Sequence, residues 1–260
     1  MIDRVALTQL VYGALGGGSV AFGFRLVENY LLAPRFSESM EANKKLILYA
    51  RPLWLACQEL EFRFSMITKC LSTGKQSGPR TSLAFPLAAA QSIDWFTKDG
   101  YFLTSTAYLI AAVSCWIQLY ERDVVFLKFG RSSLTKRFFD LVQEFKQQLS
   151  SHSILWFHYI NGIGEELINP EGKRPISLSE FTKKVYQDQL FRGYYDQLFL
   201  FLNELPRGRF HKNIQKTSKA LCEMMTFLEE NKVVISMNRK HASVAIAAEV
   251  QGSRPHRPQG

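Results

Sequence analysis

Two runs of twenty residues without a charged side chain constrain the fold of this 260-residue chain more than any other feature. They cover residues 5–24 and 101–120. A helix rises about 1.5 Å per residue, so each run spans about 30 Å, the thickness of the hydrocarbon core of a bilayer. A helix of this kind either crosses a membrane or is buried in a protein core. The two runs therefore decide whether the chain contacts a membrane.

The run at 5–24 is predicted to be an uncleaved single-pass membrane anchor. A signal peptide is disfavoured, because the start MIDR is weakly basic and no A-x-A site follows the apolar stretch. A buried or surface-lying helix and a phosphate-cradling loop at GALGGG stay open as alternatives. Gly13 and Gly17 stand four residues apart, as do Ala14 and Gly18. This spacing favours close packing of membrane helices, so a homo-oligomer through this segment is an expectation.

The run at 101–120 is predicted to have a different location. Thr104, Ser105, Thr106 and Ser114 make it more polar than an ordinary membrane span. The mean hydropathy of the whole chain is −0.09, which argues against several spans. We therefore expect this run to be the central helix of a globular core, with a second span as the alternative.

The basic residues around the first run predict the orientation of the chain. Only Arg4 precedes the run, whereas Arg25, Arg35, Lys44 and Lys45 follow it. Cytoplasmic flanks carry the excess of Lys and Arg, so the main domain is expected in the cytoplasm, anchored to the membrane. The cysteine positions agree with a reducing compartment, because they show neither disulfide-framework nor metal-ligand spacing. They are Cys57, Cys70, Cys115 and Cys222.

Apolar residues at steps of three and four predict helices through most of the chain after residue 37. The predicted helices cover 38–71, 84–96, 101–120, 134–149, 154–168, 177–205 and 213–230. Pro52 is expected to kink or split the first of them, and Gly162 and Gly164 to weaken the fifth or divide it into two half-helices. The helix at 134–149 is predicted to have one apolar inward face: Phe138, Leu141, Val142, Phe145 and Leu149. Ser177 or Ser179 is expected to cap the helix at 177–205, which turns Leu190 inward and ends at a break at Pro206 and Gly208. No alternating strands joined by hairpin turns are evident.

The predicted fold class is therefore all-α. It is a helical bundle of about six to eight helices preceded by an N-terminal apolar helix, here predicted to be transmembrane. The predicted organisation has an anchor segment at 1–32, one bundle domain at 37–231 and a weakly structured tail at 232–260. The 47% of apolar residues excludes an intrinsically disordered chain.

Basic residues outnumber acidic ones, 32 to 23, for a formal net charge of +9. The excess is local, and the segment 63–80 is one acid-free basic group. Two further groups are candidate sites for anionic lipid or an acidic partner: Arg207, Arg209, Lys212, Lys216 and Lys219, and Lys128, Arg131, Lys136 and Arg137. Basic surfaces near a membrane attract anionic headgroups. Nucleic acid is a weaker alternative because no nucleic-acid-binding module is recognisable, and a merely solvated surface also stays open.

Catalytic motifs are sparse. His158 with Glu165 and Glu166 is the single cluster of histidine and carboxylates close in sequence, and the seven-residue step from His158 to Glu165 returns to one helix face. The simpler interpretation is a helix cap plus surface carboxylates. We therefore expect no catalytic residue, no metal and no cofactor. The alternative is an enzyme or small-ligand binder near this cluster, with a pocket lined by Trp95, Trp116, Trp156 and Tyr194.

Three stretches resemble a bacterial family of helical proteins with an N-terminal hydrophobic segment and no known activity. They are LACQELEFRFSMI at 55–67, STAYLIAAVSCWIQLYERDVVFL at 105–127 and INGIGEEL at 160–167. The resemblance implies a helical domain but no functional residue. The sequence thus predicts a non-enzymatic, membrane-anchored helical protein whose bundle binds a protein partner or the anionic inner leaflet.

Overall fold

The computed structural model describes residues 33–73, 83, 93–124, 132–150 and 154–231. Nine α-helices, one 3-10 turn and one short hairpin form this part of the chain. They are α1 (Ala33–Thr73), α2 (Ile93–Thr97), α3 (Tyr101–Val124), α4 (Ser132–Leu149), α5 (Phe157–Glu166), β1 (Ile168–Asn169), β2 (Arg174–Pro175), α6 (Leu178–Gln187), α7 (Gln189–Gly193), α8 (Asp196–Glu204), the 3-10 turn Leu205–Arg207 and α9 (His211–Glu230). The all-α prediction is confirmed for these residues.

Helix α3 is the centre of the bundle. It packs against α1, α2, α5, α6, α8 and β2. In the described part of the chain, the segment Tyr101–Arg122 is long and apolar enough to cross a membrane, but 83% of its most apolar window is buried inside the protein. Its hydroxyls donate to its own backbone, as Thr106 does to Phe102 O at 2.6 Å and Ser114 to Ile110 O at 3.0 Å. The interpretation of this run as a core helix is therefore confirmed.

Helix α9 lies between α1 and α4 and is antiparallel to both. Trp54 Nε1 donates to Glu229 near one end of α9, and Ser218 Oγ donates to Glu61 nearer the other. On the α4 side, Asn213 Nδ2 donates to the carbonyl oxygens of Gln148 and Ser150, 3.1 Å away in each case. The predicted inward face of α4 is buried in full: Phe138, Leu141, Val142, Phe145 and Leu149.

Helix α1 continues through Pro52 as one element, so the expected split does not occur. Helix α5 likewise runs unbroken through Gly162 and Gly164. A Cβ at Gly164 would lie 2.7 Å from the backbone carbon of Ser114 in α3, whereas a Cβ at Gly162 would have no neighbour within 4 Å. Gly164 is thus the point where two helix backbones approach closely.

The prediction of one continuous helix over 177–205 is wrong. Ser177 caps α6, as predicted, by accepting from the backbone N–H of Glu180. Asp188 then has an extended backbone and caps α7 by accepting from the N–H groups of Leu190 and Phe191, at 3.0 Å each. Because this break changes the helix phase, Leu190 is 82% exposed although it was predicted inward.

The hairpin between α5 and α6 is a second difference between the structure and the prediction from the sequence. Ile168 pairs with Pro175 and Asn169 with Arg174 in an antiparallel register of two residues per strand. Such short pairing leaves no alternating pattern in the sequence, which is why no strand was predicted. The break predicted at Pro206 and Gly208 is confirmed, with Gly208 in the left-handed conformation at φ 80°.

The predicted anchor at 1–32, with Gly13, Ala14, Gly17 and Gly18, lies outside the described residues, as does the tail from 232. None of the four cysteines forms a disulfide: Cys57 and Cys115 are buried, and Cys70 and Cys222 are half-buried. Burial raises the pKa of Cys115 to about 12, so its thiol stays protonated at neutral pH.

Candidate functional site

Five of the predicted basic residues lie on the two adjacent helices α4 and α9. Lys212, Lys216 and Lys219 follow steps of four and three along α9, and all three are exposed. These steps place them on one face over about 10 Å of helix length. Lys136 and Arg137 are exposed near the start of α4. We call these five residues the cationic face. Lys128 and Arg131 lie outside the described residues.

Two acidic residues reach the basic groups, which the sequence did not show. Glu204 forms ion pairs with both Arg207 and Arg209, the latter at 2.9 Å. Glu223 lies between the two helices, 3.6 Å from Lys219 Nζ and 3.8 Å from Arg137 Nη2. Within the described ranges no carboxylate forms an ion pair with the remaining members of the face: Lys136, Lys212 and Lys216.

The backbone at the start of α9 adds to the positive charge of the lysines on this helix. No side chain caps this helix end, and its first turn contains no acid. The N-cap residue is Phe210, held at a left-handed φ of 59° and stacked on Phe201 at 5.1 Å between ring centroids. A helix N-terminus carries partial positive charge, and basic residues there disfavour the helix. Lys212 and Lys216 therefore add to the positive potential of this end at a cost in stability.

The predicted histidine–carboxylate cluster is not assembled into a site. His158, Glu165 and Glu166 are all on α5 and all exposed. His158 contacts Phe157 edge to face at 5.7 Å between ring centroids. Over the ranges that the structure describes, no three His, Cys, Asp or Glu side chains are grouped closely enough to hold a metal ion.

The four aromatic residues proposed to line a pocket near this cluster are spread over the molecule. Trp156 is 66% exposed and Tyr194 is 49% exposed, while Trp95 and Trp116 pack half-buried against the core. Tyr159 instead connects α5 to the segment before α8, where its hydroxyl donates to the carbonyl oxygen of Tyr194. Burial raises the pKa of Tyr159, so its hydroxyl stays protonated as that donor.

A cavity of about 430 Å³ lies elsewhere, between α1, the first two turns of α3 and the start of α6. We call it the Arg63 pocket, because the half-buried Arg63 lines it. Its other polar residues include Glu59 and Ser105. Most of its lining is apolar or aromatic: Phe62, Met66, Tyr101, Phe102, Tyr108, Leu109 and Leu178.

One nitrogen holds the Arg63 guanidinium in place. Nη1 donates to Phe102 O at 3.1 Å, to Ser105 Oγ at 2.9 Å and to Thr106 Oγ1 at 3.0 Å. The guanidinium carbon also lies 4.3 Å from the centre of the Phe102 ring. Burial lowers the pKa of Arg63, against the opposing influence of Tyr101 and Glu59. Burial likewise raises the pKa of Glu59, against the opposing influence of Arg63.

The sequence places Arg63 in a basic group and does not indicate that its guanidinium is half-buried in a pocket. The available signal was its position on α1. Leu60, Phe64 and Ile67 form the buried face of this helix, and Arg63 lies one residue from Phe64 and three from Leu60. A cation so close to the buried face must either extend away from the core or find partners inside it.

Comparisons with models of protein families, with curated proteins and with solved structures found no match to this chain. The resemblance of residues 55–67, 105–127 and 160–167 to a bacterial helical family stays a prediction.

Proposed function

We propose that this protein is a non-enzymatic, membrane-anchored helical protein whose bundle binds anionic lipid headgroups through the cationic face. The observation that carries the proposal is the exposed row of Lys212, Lys216 and Lys219 on α9, beside Lys136 and Arg137 on α4. Glu223 forms ion pairs with two of the five cations, which leaves Lys136, Lys212 and Lys216 without an ion pair among the described residues.

Electrostatics supports an extended anionic partner over a single small anion. The cationic residues lie along the outside of two helices and do not converge on one point. A surface of this kind gains about 1 kcal/mol per basic residue close to an anionic membrane. The segment at 5–24 would hold the domain near the membrane, which raises the effective headgroup concentration at the cationic face.

Lysine footprinting on the full-length protein tests the proposal. The protein is reconstituted in nanodiscs of phosphatidylcholine with or without phosphatidylglycerol, and exposed lysines are acetylated with a soluble reagent. Acetylation of Lys212, Lys216 and Lys219 should fall about fivefold in the anionic discs, which corresponds to about 1 kcal/mol per lysine. The protection should disappear at about 1 M salt, where the screening length is about 3 Å.

Lys69, Lys98 and Lys183 provide the internal control, because they are exposed on other elements. Their acetylation should not depend on the lipid. Equal protection of both sets of lysines would contradict a directed surface. Protection of the α9 lysines by short duplex DNA, with none from anionic lipid, would replace the proposal with nucleic-acid binding.

A protein partner is a second candidate, favoured by the exposed apolar side chains around the α6–α7 junction. Leu190 is 82% exposed, and Tyr186 and Tyr194 are exposed beside it in sequence. A photo-crosslinking amino acid at position 190 of the full-length protein should give discrete adducts in native membranes. The same amino acid at the exposed position 183 should not, and equal labelling at both positions would contradict this candidate.

A further inference from the structure

The Arg63 pocket contains a half-buried positive charge whose close hydrogen-bond partners are all uncharged. The three acceptors are one carbonyl and two hydroxyls. Among the described residues no carboxylate lies within 4.0 Å of the guanidinium. Buried charges in proteins are ordinarily paired, since an unpaired charge loses solvation without compensation. Among these residues the guanidinium therefore lacks an anion in direct contact, and Glu59 on the same pocket wall acts on it only at longer range.

The geometry also specifies which edge of the guanidinium would receive that anion. All hydrogen bonds that Arg63 makes to the described residues start from Nη1. The Nε–H and Nη2–H groups remain, and these two parallel donors form the fork that binds a carboxylate through both of its oxygens. Because Nη1 and the Phe102 ring fix the guanidinium, little side-chain entropy remains to be lost on binding.

Three surrounding features restrict the chemistry of the ligand. The pocket lies at the N-terminal turn of α3, which contains no acidic residue, and the helix dipole favours a negative charge there. Glu59 is on the same pocket wall as Arg63, and its own charge disfavours a dianion. Phe62, Met66, Leu109 and Leu178 provide an apolar surface beside the cation. A single negative charge on an apolar body meets all these conditions.

We propose that the Arg63 pocket binds a monocarboxylate with an apolar body. The carboxylate accepts from Nε–H and Nη2–H of Arg63, and the apolar body packs against Phe62, Met66, Leu109 and Leu178. This site is separate from the cationic face and does not depend on the proposed membrane function. The volume of about 430 Å³ suits a ligand of small-molecule size.

Calorimetric titration tests the proposal on the full-length protein in phosphatidylcholine nanodiscs. The probe is 4-phenylbutyrate, and 4-phenylbutanol is the matched uncharged compound. The acid should bind at least about tenfold more tightly than the alcohol, as expected for a charge-assisted fork. Acetate and inorganic phosphate should bind at least about tenfold more weakly than the probe, because they lack the apolar body. Equal affinity for acid and alcohol, or for probe and phosphate, would overturn the proposal.

Substitutions at two positions locate the binding. Arg63→Met should weaken binding of the acid about tenfold or more, and Arg63→Lys should weaken it less, since Lys keeps the charge but loses the fork. Circular dichroism would check that these variants remain folded, because Arg63 joins α1 to α3. Met66→Trp fills the pocket without altering Arg63 and should also abolish binding. Unchanged affinity in a folded Met66→Trp variant would place the ligand elsewhere and contradict the proposal.

Discussion

At the scale of single residues, the most demanding feature of the core is a buried ion pair. Lys146 on α4 is only 3% exposed, and its Nζ lies 3.2 Å from Glu121 Oε2 at the end of α3. The ammonium also lies 5.9 Å from the centre of the Phe157 ring. The pair and the ring contact therefore connect α3, α4 and α5.

Removing one partner of this pair should destabilise the fold. Lys146→Ala is expected to lower the free energy of unfolding by about 3 kcal/mol, because Glu121 is left as a partly buried carboxylate without its ammonium. The double variant Lys146→Met with Glu121→Gln is expected to recover most of that loss. Urea denaturation followed by circular dichroism measures both values. A loss below about 0.5 kcal/mol for Lys146→Ala would show that the pair is not important.

At the scale of elements, helix contacts and helix caps decide where each segment lies. Gly164 allows α5 to approach the backbone of α3 at Ser114, while Gly162, two residues earlier, has free space around its Cα. The sequence does not distinguish Gly162 from Gly164, and both were expected to disturb the helix that contains them. The structure gives them opposite roles.

The two glycines form a matched pair for mutation. Gly164→Ala should destabilise the protein by about 2 kcal/mol or more, since the new methyl group meets helix backbone that cannot move independently. Gly162→Ala should be neutral or should stabilise by up to about 1 kcal/mol, because Ala is the better helix former. Thermal unfolding of the two variants should therefore shift in opposite directions. Equal stabilisation of both variants would indicate that helix propensity, not packing, governs both positions.

The break at Asp188 is expected to depend on its carboxylate. Asp188→Ala removes the acceptor for the N–H groups of Leu190 and Phe191 and should cost about 1 kcal/mol. Asp188→Asn keeps an acceptor oxygen and should cost less than about 0.5 kcal/mol. Chemical denaturation compares the two. A larger cost for Asn than for Ala would contradict capping as the role of this residue.

At the scale of the whole molecule, the two uncharged runs have different places. The run at 101–120 is the buried centre of the bundle, where it contacts helices from both halves of the chain. The predicted membrane attachment therefore depends on two predicted contributions, one from residues 5–24 and one from the cationic face. Helices α4 and α9 together carry six basic and five acidic residues, so most of the net charge of +9 lies on other segments.

Deleting residues 1–32 separates these two contributions. Full-length protein should stay in the membrane pellet after alkaline carbonate extraction, which removes proteins held by charge alone. The form starting at residue 33 retains every described helix and should be released by high salt. Release of the full-length protein by carbonate would contradict a spanning anchor. Retention of the truncated form would mean that another segment inserts into the bilayer.

The sequence alone determined the helical class, the inward face of α4 and the break at Pro206 and Gly208, and it limited the cap of α6 to Ser177 or Ser179. These features depend on neighbouring residues, whose spacing and side-chain chemistry act over one or two turns. Local patterning also favoured the correct interpretation of residues 101–120 as core.

Only the tertiary structure decided the phase of α6 to α8, the role of Gly164 and the surroundings of Arg63. It also brought Glu204 and Glu223 to the basic residues. Each of these depends on groups distant in sequence or on a change of helix phase at one capped residue, and periodicity carries no information about either. The physical reason is that desolvation and close backbone approach arise only when elements pack, so Arg63 becomes a half-buried cation only once α3 lies against α1.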